Sequence, residues 1–301
     1  MPYHKSLAGV SACATLALLA ACSGSAVSPG NSSDQVLQMQ MSNDAASSAG
    51  QAAVSDLAQT GDDGSGGGQY ALVLPHGISA SVLYGMGSGN CSQTNAPSDL
   101  RWYCGADTMT IQNNARADTL IRQRNYEFFA NGAGQTSFSN QTDSINFGGA
   151  NGVPVYVAVH RARWQGVSHR VRNHTASDLN PSFALDPDSS TTWNGNTLAT
   201  DTASYTGPVW SVHYYGTAYD TTAAVVFRRP RVAHPFPLSG QFHRWAQWSY
   251  TASGPSSKSG TVSRHIVITY NGTQTAQLQV IGSTTLTCDL DLATGEVSNC
   301  H

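Results

Sequence analysis

The chain has 301 residues and a net charge of −3 at pH 7, with 11% of its residues charged and 40% hydrophobic. This balance lacks the basic character typical of nucleic-acid-binding proteins, so we expect no nucleic-acid partner. Thirteen arginines accompany two lysines. Any positively charged surface would therefore consist mainly of guanidinium groups.

An apolar run near the start of the chain has the length of an export signal. It covers about residues 7–21, follows Lys5 and ends at Cys22. Because the run is shorter than the roughly 20 residues that span a bilayer, we interpret it as a targeting signal. An oxidising compartment outside the cytoplasm is the expected destination.

The segment that ends at Cys22, LALLAAC, resembles the lipobox of bacterial lipoproteins. The resemblance implies that residues 1–21 are a signal peptide, and that Cys22 carries the acyl chains that attach the protein to a membrane. Ser23 stands where an aspartate retains some lipoproteins at the inner membrane. The resemblance therefore implies an outer-membrane location rather than an inner-membrane one.

The segment that follows contains little material for a hydrophobic core. Residues 23–69 include no aromatic residue and are rich in Ser, Ala, Gly, Gln and Asp. Such a segment cannot bury enough apolar surface to offset the entropy of ordering it. We predict that residues 22–69 form a lipidated N-terminus and a disordered linker. A short helix containing Val36, Leu37, Met39 and Met41 is the alternative.

From Tyr70 onward aromatic residues and Val recur regularly, which predicts one domain over residues 70–301. Side chains alternate in character from Val153 to Trp164 and from Phe242 to Tyr250, as expected for strands. The domain is therefore predicted to be all-β, a single antiparallel meander. The pattern leaves open a barrel, a half-barrel and a sandwich.

Four Asn-Gly pairs, which begin at residues 131, 151, 194 and 271, predict two-residue hairpin turns. At the last pair we expect Val262–Tyr270 to pair with Thr273–Ile281, with Ile268 opposite Thr275. The sequence ends in another predicted hairpin, which turns at residues 293–295.

The four cysteines of the domain are predicted to form two local disulfides. Four cysteines allow three connectivities. The spacing favours Cys91–Cys104 and Cys288–Cys300, because each of these pairs brackets a turn signal.

Motifs of catalysis and of metal binding are absent from the sequence. It contains no Gly-x-Ser-x-Gly, His-Glu-x-x-His or Cys-x-x-Cys, and it has two glutamates. We therefore assign no catalytic residue, metal ligand or cofactor and expect a protein that is not an enzyme.

Arginines are concentrated near tryptophans in the predicted strands. No acidic residue occurs between Thr221 and Cys288, where six basic residues occur. Guanidinium groups bind anions and stack on aromatic rings, so an exposed anion- or glycan-binding face is one interpretation. The alternative is that the arginines are ordinary strand residues whose stems cover apolar surface. The candidate residues are Arg161, Arg163, Arg170, Arg172, Arg244, Trp164 and Trp245.

These observations predict a membrane-anchored cell-envelope lipoprotein that acts by binding or as a structural surface component. Its expected partners are the membrane, through Cys22, and anionic envelope polymers or glycans. Two alternatives remain open. One is a half-barrel carrier of lipids or lipoproteins, and the other is an extracytoplasmic hydrolase.

Overall fold

The computed structural model describes most of the predicted β domain and one helix that precedes it. The described residues are 32–57, 91–93, 99–104, 107–113, 116–122, 125–136, 139, 141–148, 155–160, 164–178, 190–228, 234–282 and 285–301. The predicted signal peptide, Cys22 and the Asn-Gly pair at residue 151 lie outside them.

One helix and 16 strands make up the described chain. The helix is α1 (Ser32–Leu57). The first nine strands are β1 (Cys91–Gln93), β2 (Trp102–Cys104), β3 (Asp107–Asn113), β4 (Arg116–Arg122), β5 (Asn125–Ala130), β6 (Ala133–Gln135), β7 (Ser144–Gly148), β8 (Val155–His160) and β9 (Trp164–Ser177). The other seven are β10 (Ser190–Thr206), β11 (Ser211–Arg228), β12 (Ser239–Ser253), β13 (Ser257–Thr269), β14 (Thr275–Ile281), β15 (Leu286–Asp291) and β16 (Val297–Ser298).

All 16 strands belong to one antiparallel sheet, which confirms the all-β prediction. The main path runs β1-β2-β5-β7-β9 and then through consecutive strands from β10 to β16. Strands β3, β4, β6 and β8 branch from this path. From β9 onward each strand pairs with the next one in sequence, so this half of the sheet is the predicted meander.

The meander bends around α1. Arg170 of β9 and Tyr214 of β11 bond to the helix, and Leu290 of β15 packs beside Gly50 of the helix. The strands from β9 to β15 span roughly 29 Å at about 4.8 Å each, whereas a helix is about 10–12 Å wide. Because the contacts with β9 and β15 are made by Ala52 and Gly50, about 3 Å apart along the helix axis, a flat sheet of that width could not make both. Of the three predicted architectures, the half-barrel is therefore the nearest description.

The helix fills the concave face of this half-barrel. Its five buried alanines and Met41 belong to the same core cluster as inward-facing residues of the strands. At Gly50, an added Cβ would lie 2.8 Å from Leu290 Cδ1. Glycine thus allows the helix to approach β15 closely. The buried alanines are Ala45, Ala46, Ala49, Ala52 and Ala53.

The prediction of a disordered linker is wrong for residues 32–57. The physical reason is that small side chains can be buried as completely as large ones when a curved sheet supplies the rest of the core. Alanine also has the highest intrinsic helix propensity. The alternative prediction, a helix in this segment, is correct, although α1 is much longer than the short helix expected. Residues 22–31 and 58–69 lie outside the described residues.

Three of the four Asn-Gly pairs lie within the described residues, and the predictions made from them differ in outcome. Asn131 and Gly132 have φ values of 49° and 76° and join Ala130 to its partner Ala133, which confirms the tight turn there. The pair at residue 194 instead lies within β10, where the register with β11 shifts. The turn predicted at that pair is therefore wrong. Asn194 Oδ1 accepts a hydrogen bond from the Ala224 amide, so this pair contributes to a bulge.

The predicted register at residue 271 is also wrong. Ile268 pairs with Leu278 rather than with Thr275. The connection is wider than two residues because Asn271 Oδ1 accepts bonds from the amide and hydroxyl of Thr273. The observed register places Ile268 and Leu278 together in the core, both fully buried.

The run from Val153 to Trp164 is not one strand. His160 of β8 pairs with Gln165 of β9, so the chain reverses between them.

The Cys288–Cys300 disulfide is present, with Cα atoms 4.2 Å apart. Cys91 and Cys104 are direct partners in the β1–β2 register, as local pairing requires. The side chains of these two cysteines are not among those that the structure describes, so their disulfide stays a prediction.

Candidate functional site

Strands β10–β13 have two chemically different faces, and the predicted site residues divide between them. Alternation places Arg244 and Trp248 on the concave inner face and Trp245 on the convex outer face. Arg244 is 0% exposed, whereas Trp245 is 42% exposed. These two predicted site residues therefore do not form one surface.

Arg244 is held inside the sheet by two aspartates. Its Nη1 lies 3.1 and 2.9 Å from the two carboxylate oxygens of Asp220, its partner on β11. Its Nη2 donates to Asp201 of β10. Burial acts to lower the pKa of Arg244, but Asp201 and Asp220 outweigh burial and leave that pKa raised. This ion-pair cluster spans three strands.

Arg170 belongs to the same buried layer. It is 5% exposed, and its Nη1 lies 3.5 Å from the carbonyl oxygen of Ala52 on α1. Burial and the nearby Arg244 lower the pKa of Arg170, while the charges of Asp201 and Asp220 oppose that change. Arg170 thus links the cluster to the helix.

Asp56 fixes the end of α1 to two strands. Its Oδ1 lies 3.2 Å from His174 Nε2 on β9, and its Oδ2 accepts a 2.6 Å hydrogen bond from Thr222 Oγ1 on β11. One carboxylate of the helix therefore contacts both β9 and β11.

A second carboxylate of the helix, Asp44, is also buried. Tyr214 OH donates a 2.7 Å hydrogen bond to its Oδ2. Burial raises the pKa of Asp44 to about 7, although the hydrogen bonds from Tyr214 and Gln40 oppose that rise. The inner face therefore holds the helix through several polar contacts.

The expected arginine face is consequently wrong for Arg170 and Arg244. Both lie on the inner face, because paired aspartates and helix carbonyls there compensate their burial. Arg161 and Arg163 lie outside the described residues, and so do the side chains of Arg172 and Trp164. Of the seven predicted residues, Trp245 is the one described as exposed.

The central part of the outer face of β10–β14 carries no Asp, Glu, Lys or Arg, although Arg228 lies on the outer side at the end of β11. This statement applies to outward residues within 196–206, 211–221, 241–253, 261–269 and 275–281, all of which the structure describes. Each charged residue of these stretches is buried or turned inward, namely Asp201, Asp220, Arg244 and Arg264. We call this surface the outer face. Thr, Ser and Gln make up most of it.

A row of large side chains crosses the outer face at right angles to the strands. Each member is the direct partner of the next, in the order Leu198, Tyr219, Trp245, His265 and Ile281. The four apolar and aromatic members are 57, 46, 42 and 39% exposed, respectively. We call these five residues the aromatic row.

The rings in the centre of the row pack against one another. The Trp245 and His265 rings are stacked, with centroids 4.8 Å apart and planes 5° apart. The Tyr219 ring lies 6.0 Å from that of Trp245 at a tilt of 34°. Packed in this way, the rings expose mainly their edges to solvent and form a continuous apolar ridge.

A serine and a histidine also meet on the outer face. Ser204 Oγ lies 2.7 Å from His213 Nδ1, and the two residues are cross-strand partners. A triad would need a carboxylate on this histidine. The outer face, as defined above, contains none. We interpret the contact as a cross-strand hydrogen bond.

Within the described ranges, no three His, Cys, Asp or Glu side chains are grouped to hold a metal ion. In the same ranges, no helix is long and apolar enough to cross a membrane. No family model, curated protein or solved structure matches the chain.

The sequence analysis gave α1 only as a shorter alternative and missed the aromatic row. The helix had a signal in its alanines, which occur at positions i, i+1, i+4, i+7 and i+8 from Ala45 to Ala53, the spacing of one helix face. The row had no local signal, because its five members come from five strands and depend on the register of four pairings.

Proposed function

We propose that this chain is a lipid-anchored cell-envelope protein, attached through Cys22, that binds a partner protein through the outer face. The observation that carries the proposal is the exposed aromatic row on a surface free of charged residues. The centres of protein interfaces are depleted in charged residues and enriched in Tyr and Trp. Exposed apolar patches with polar surroundings also mark interaction sites.

The size of the outer face fits such an interface. Five strands about 4.8 Å apart, with about ten residues each at roughly 3.4 Å per residue, cover on the order of 800 Å². Standard interfaces bury about 800 Å² on each partner. Within this area, Tyr219 and Trp245 lie near the centre, where residues that dominate the binding energy are usually found.

A partner protein is favoured over the anionic polymer expected from the arginines. Arg170 and Arg244 already bind internal acceptors, and the outer face offers no cation to an anion. The carrier alternative required an unfilled apolar surface, but α1 covers the concave face. Nor does the Ser204–His213 pair have the carboxylate that a hydrolase triad would require.

Site-specific photo-crosslinking in cells tests the binding face. A photoreactive residue replaces Leu198 in the row or, as a matched control, Leu238, which is 42% exposed and precedes β12. We expect an adduct with another protein from position 198 only. It should disappear with Trp245→Ala and persist with Tyr215→Ala, an exposed residue of the same face outside the row. It should also survive about 0.5 M salt, which screens charge attraction.

Three results would contradict the proposal. They are equal adducts from positions 198 and 238, an adduct lost in high salt, and an adduct of twice the chain mass. The last result would identify a second copy as the occupant.

The lipid anchor is tested separately by labelling with a fatty-acid analogue. Cys22→Ser should lose the label and leave the membrane fraction, whereas Ser23→Ala should keep both. Label retained in Cys22→Ser would reject the lipoprotein interpretation.

A further inference from the structure

Two histidines of the outer face bring their ring nitrogens together. His243 Nδ1 lies 3.3 Å from His265 Nε2. The rings are nearly coplanar, with planes 13° apart and centroids 5.5 Å apart. Since His243 lies on β12 and His265 on the adjacent strand β13, rigid paired strands fix this approach.

The separation matches that of two ligands on one metal ion. Histidine nitrogens bind Zn²⁺ at about 2.0–2.1 Å, so two of them in a tetrahedral arrangement lie about 3.3–3.4 Å apart. Each ring would have to rotate by roughly 35° for its lone pair to point at a shared ion in a tetrahedral arrangement.

The surroundings favour occupancy by a cation of this kind. The cross-strand partners of His243 are Thr221 and Val267, and those of His265 are Trp245 and Ile281. None of these four residues is charged, so no neighbouring cation repels the ion. Trp245 stacks on both imidazoles, with centroids 5.5 and 4.8 Å away, and holds their orientation.

In the free pair one neutral ring donates its N–H hydrogen to the other. On metal binding that ring would shift its hydrogen to its other nitrogen through solvent, so the pair neither gains nor loses a proton.

We propose that His243 Nδ1 and His265 Nε2 form a binding site for a divalent first-row transition ion, of the Zn²⁺, Ni²⁺ or Cu²⁺ class. Imidazole suits these ions, and Cu²⁺ binds most tightly among them. Water completes the coordination in the free protein. This site is independent of the partner-protein proposal, because its test needs no partner.

The test is a titration of the full chain, without an affinity tag, with Cu²⁺ and Ni²⁺. Calorimetry gives affinity and stoichiometry, and Trp fluorescence reports an ion bound beside Trp245. Changes to ligand-supporting groups cost roughly 10–100-fold in affinity, so loss of a ligand should cost at least about tenfold. We expect that loss in His243→Ala and in His265→Ala, with no loss in His213→Ala, an exposed histidine of the same face.

His243→Gln provides a second variant of similar size, and circular dichroism checks that each variant is folded. Equal affinity in the native chain and in a folded His243→Gln variant would overturn the proposal. So would a loss of the same size in His213→Ala. A failed partner crosslink together with intact metal binding would reject only the partner-protein proposal.

Discussion

The inner and outer faces of β10–β14 belong to the same strands but carry different kinds of side chain. Inward residues include Asp201, Asp220 and Arg244, which bond to one another beneath a helix. Outward residues include Tyr219 and Trp245 on a surface without charged groups. Charged groups are thus buried on the inner face, and part of the aromatic area is exposed on the outer face, although Tyr214 and Trp248 are buried.

The difference shows that the composition of a strand does not reveal on which face of the sheet its charged side chains lie. A buried ion pair contributes little net stability, but removing one partner leaves an uncompensated charge. The inner face should therefore be sensitive to substitution and the outer face tolerant.

Removal of α1 should have the largest effect. A chain that begins at Tyr70 loses Asp44, Asp56 and the five buried alanines, which uncovers the inner face. Since native stability is only about 5–15 kcal/mol, we expect this chain to aggregate without a cooperative unfolding transition. A chain that begins at Ser23 is the control, and both are compared by gel filtration and thermal melting. Equal melting temperatures would show that α1 is dispensable.

Breaking the buried ion pairs should have the next largest effect. Arg244→Met leaves Asp201 and Asp220 without their guanidinium partner and should cost about 3–5 kcal/mol. Arg101→Met is the control, because Arg101 pairs with Glu127 at 3.0 Å near the surface, with side chains 46 and 26% exposed. That change should cost less than about 1 kcal/mol. Denaturant unfolding measures both, and similar costs would remove the contrast between buried and exposed charge.

Loss of the terminal disulfide should destabilise the margin of the sheet that packs against the helix. Cys288→Ala with Cys300→Ala should cost roughly 2–5 kcal/mol, since the bridge restrains the unfolded chain. Thermal unfolding with and without reductant measures this cost, and Ser298→Ala is the control. A double variant as stable as the native chain would show that core packing alone holds the last hairpin. Peptide mapping without reduction would separately test Cys91–Cys104.

Asp44→Asn should raise stability near neutral pH. The pKa of Asp44 is about 7 in the folded chain against 3.8 for an ordinary aspartate. The folded state therefore binds the proton more tightly. Stability from this group is complete below about pH 4 and is lost as pH rises to about 7.

Asparagine keeps an acceptor for Tyr214 and removes the ionisation. The gain over the native chain should be on the order of 4 kcal/mol at pH 8 and close to zero at pH 4. Asn43→Asp, which adds an exposed carboxylate on the same helix, is the control. Unfolding curves at the two pH values measure the effect, and a gain that does not depend on pH would contradict the buried-carboxylate explanation.

The sequence predicted what is local and missed what depends on distant partners. Alternation located β12, and Asn131-Gly132 gave a correct turn, because both signals act over a few residues. The sequence did not show which face of β12 is buried, because Trp245 and Trp248 lie three residues apart and point to opposite faces. The burial of Arg244 follows from Asp201, 43 residues away in sequence. The length and burial of the helix were missed because they depend on strands that begin more than 100 residues later.

Oxidative footprinting of the intact protein tests the central claim most directly, namely that α1 fills the concave face and leaves the outer face open. Met39 is 55% exposed and Met41 is 2% exposed, although they are two residues apart in α1. Trp245 and Trp248 of β12 form a second pair, 42 and 4% exposed. Exposed methionines and tryptophans react faster with an oxidant than buried ones. We predict that Met39 and Trp245 are modified at least about ten times faster than Met41 and Trp248. Equal rates at Met39 and Met41 would show a segment in solvent and would contradict the account.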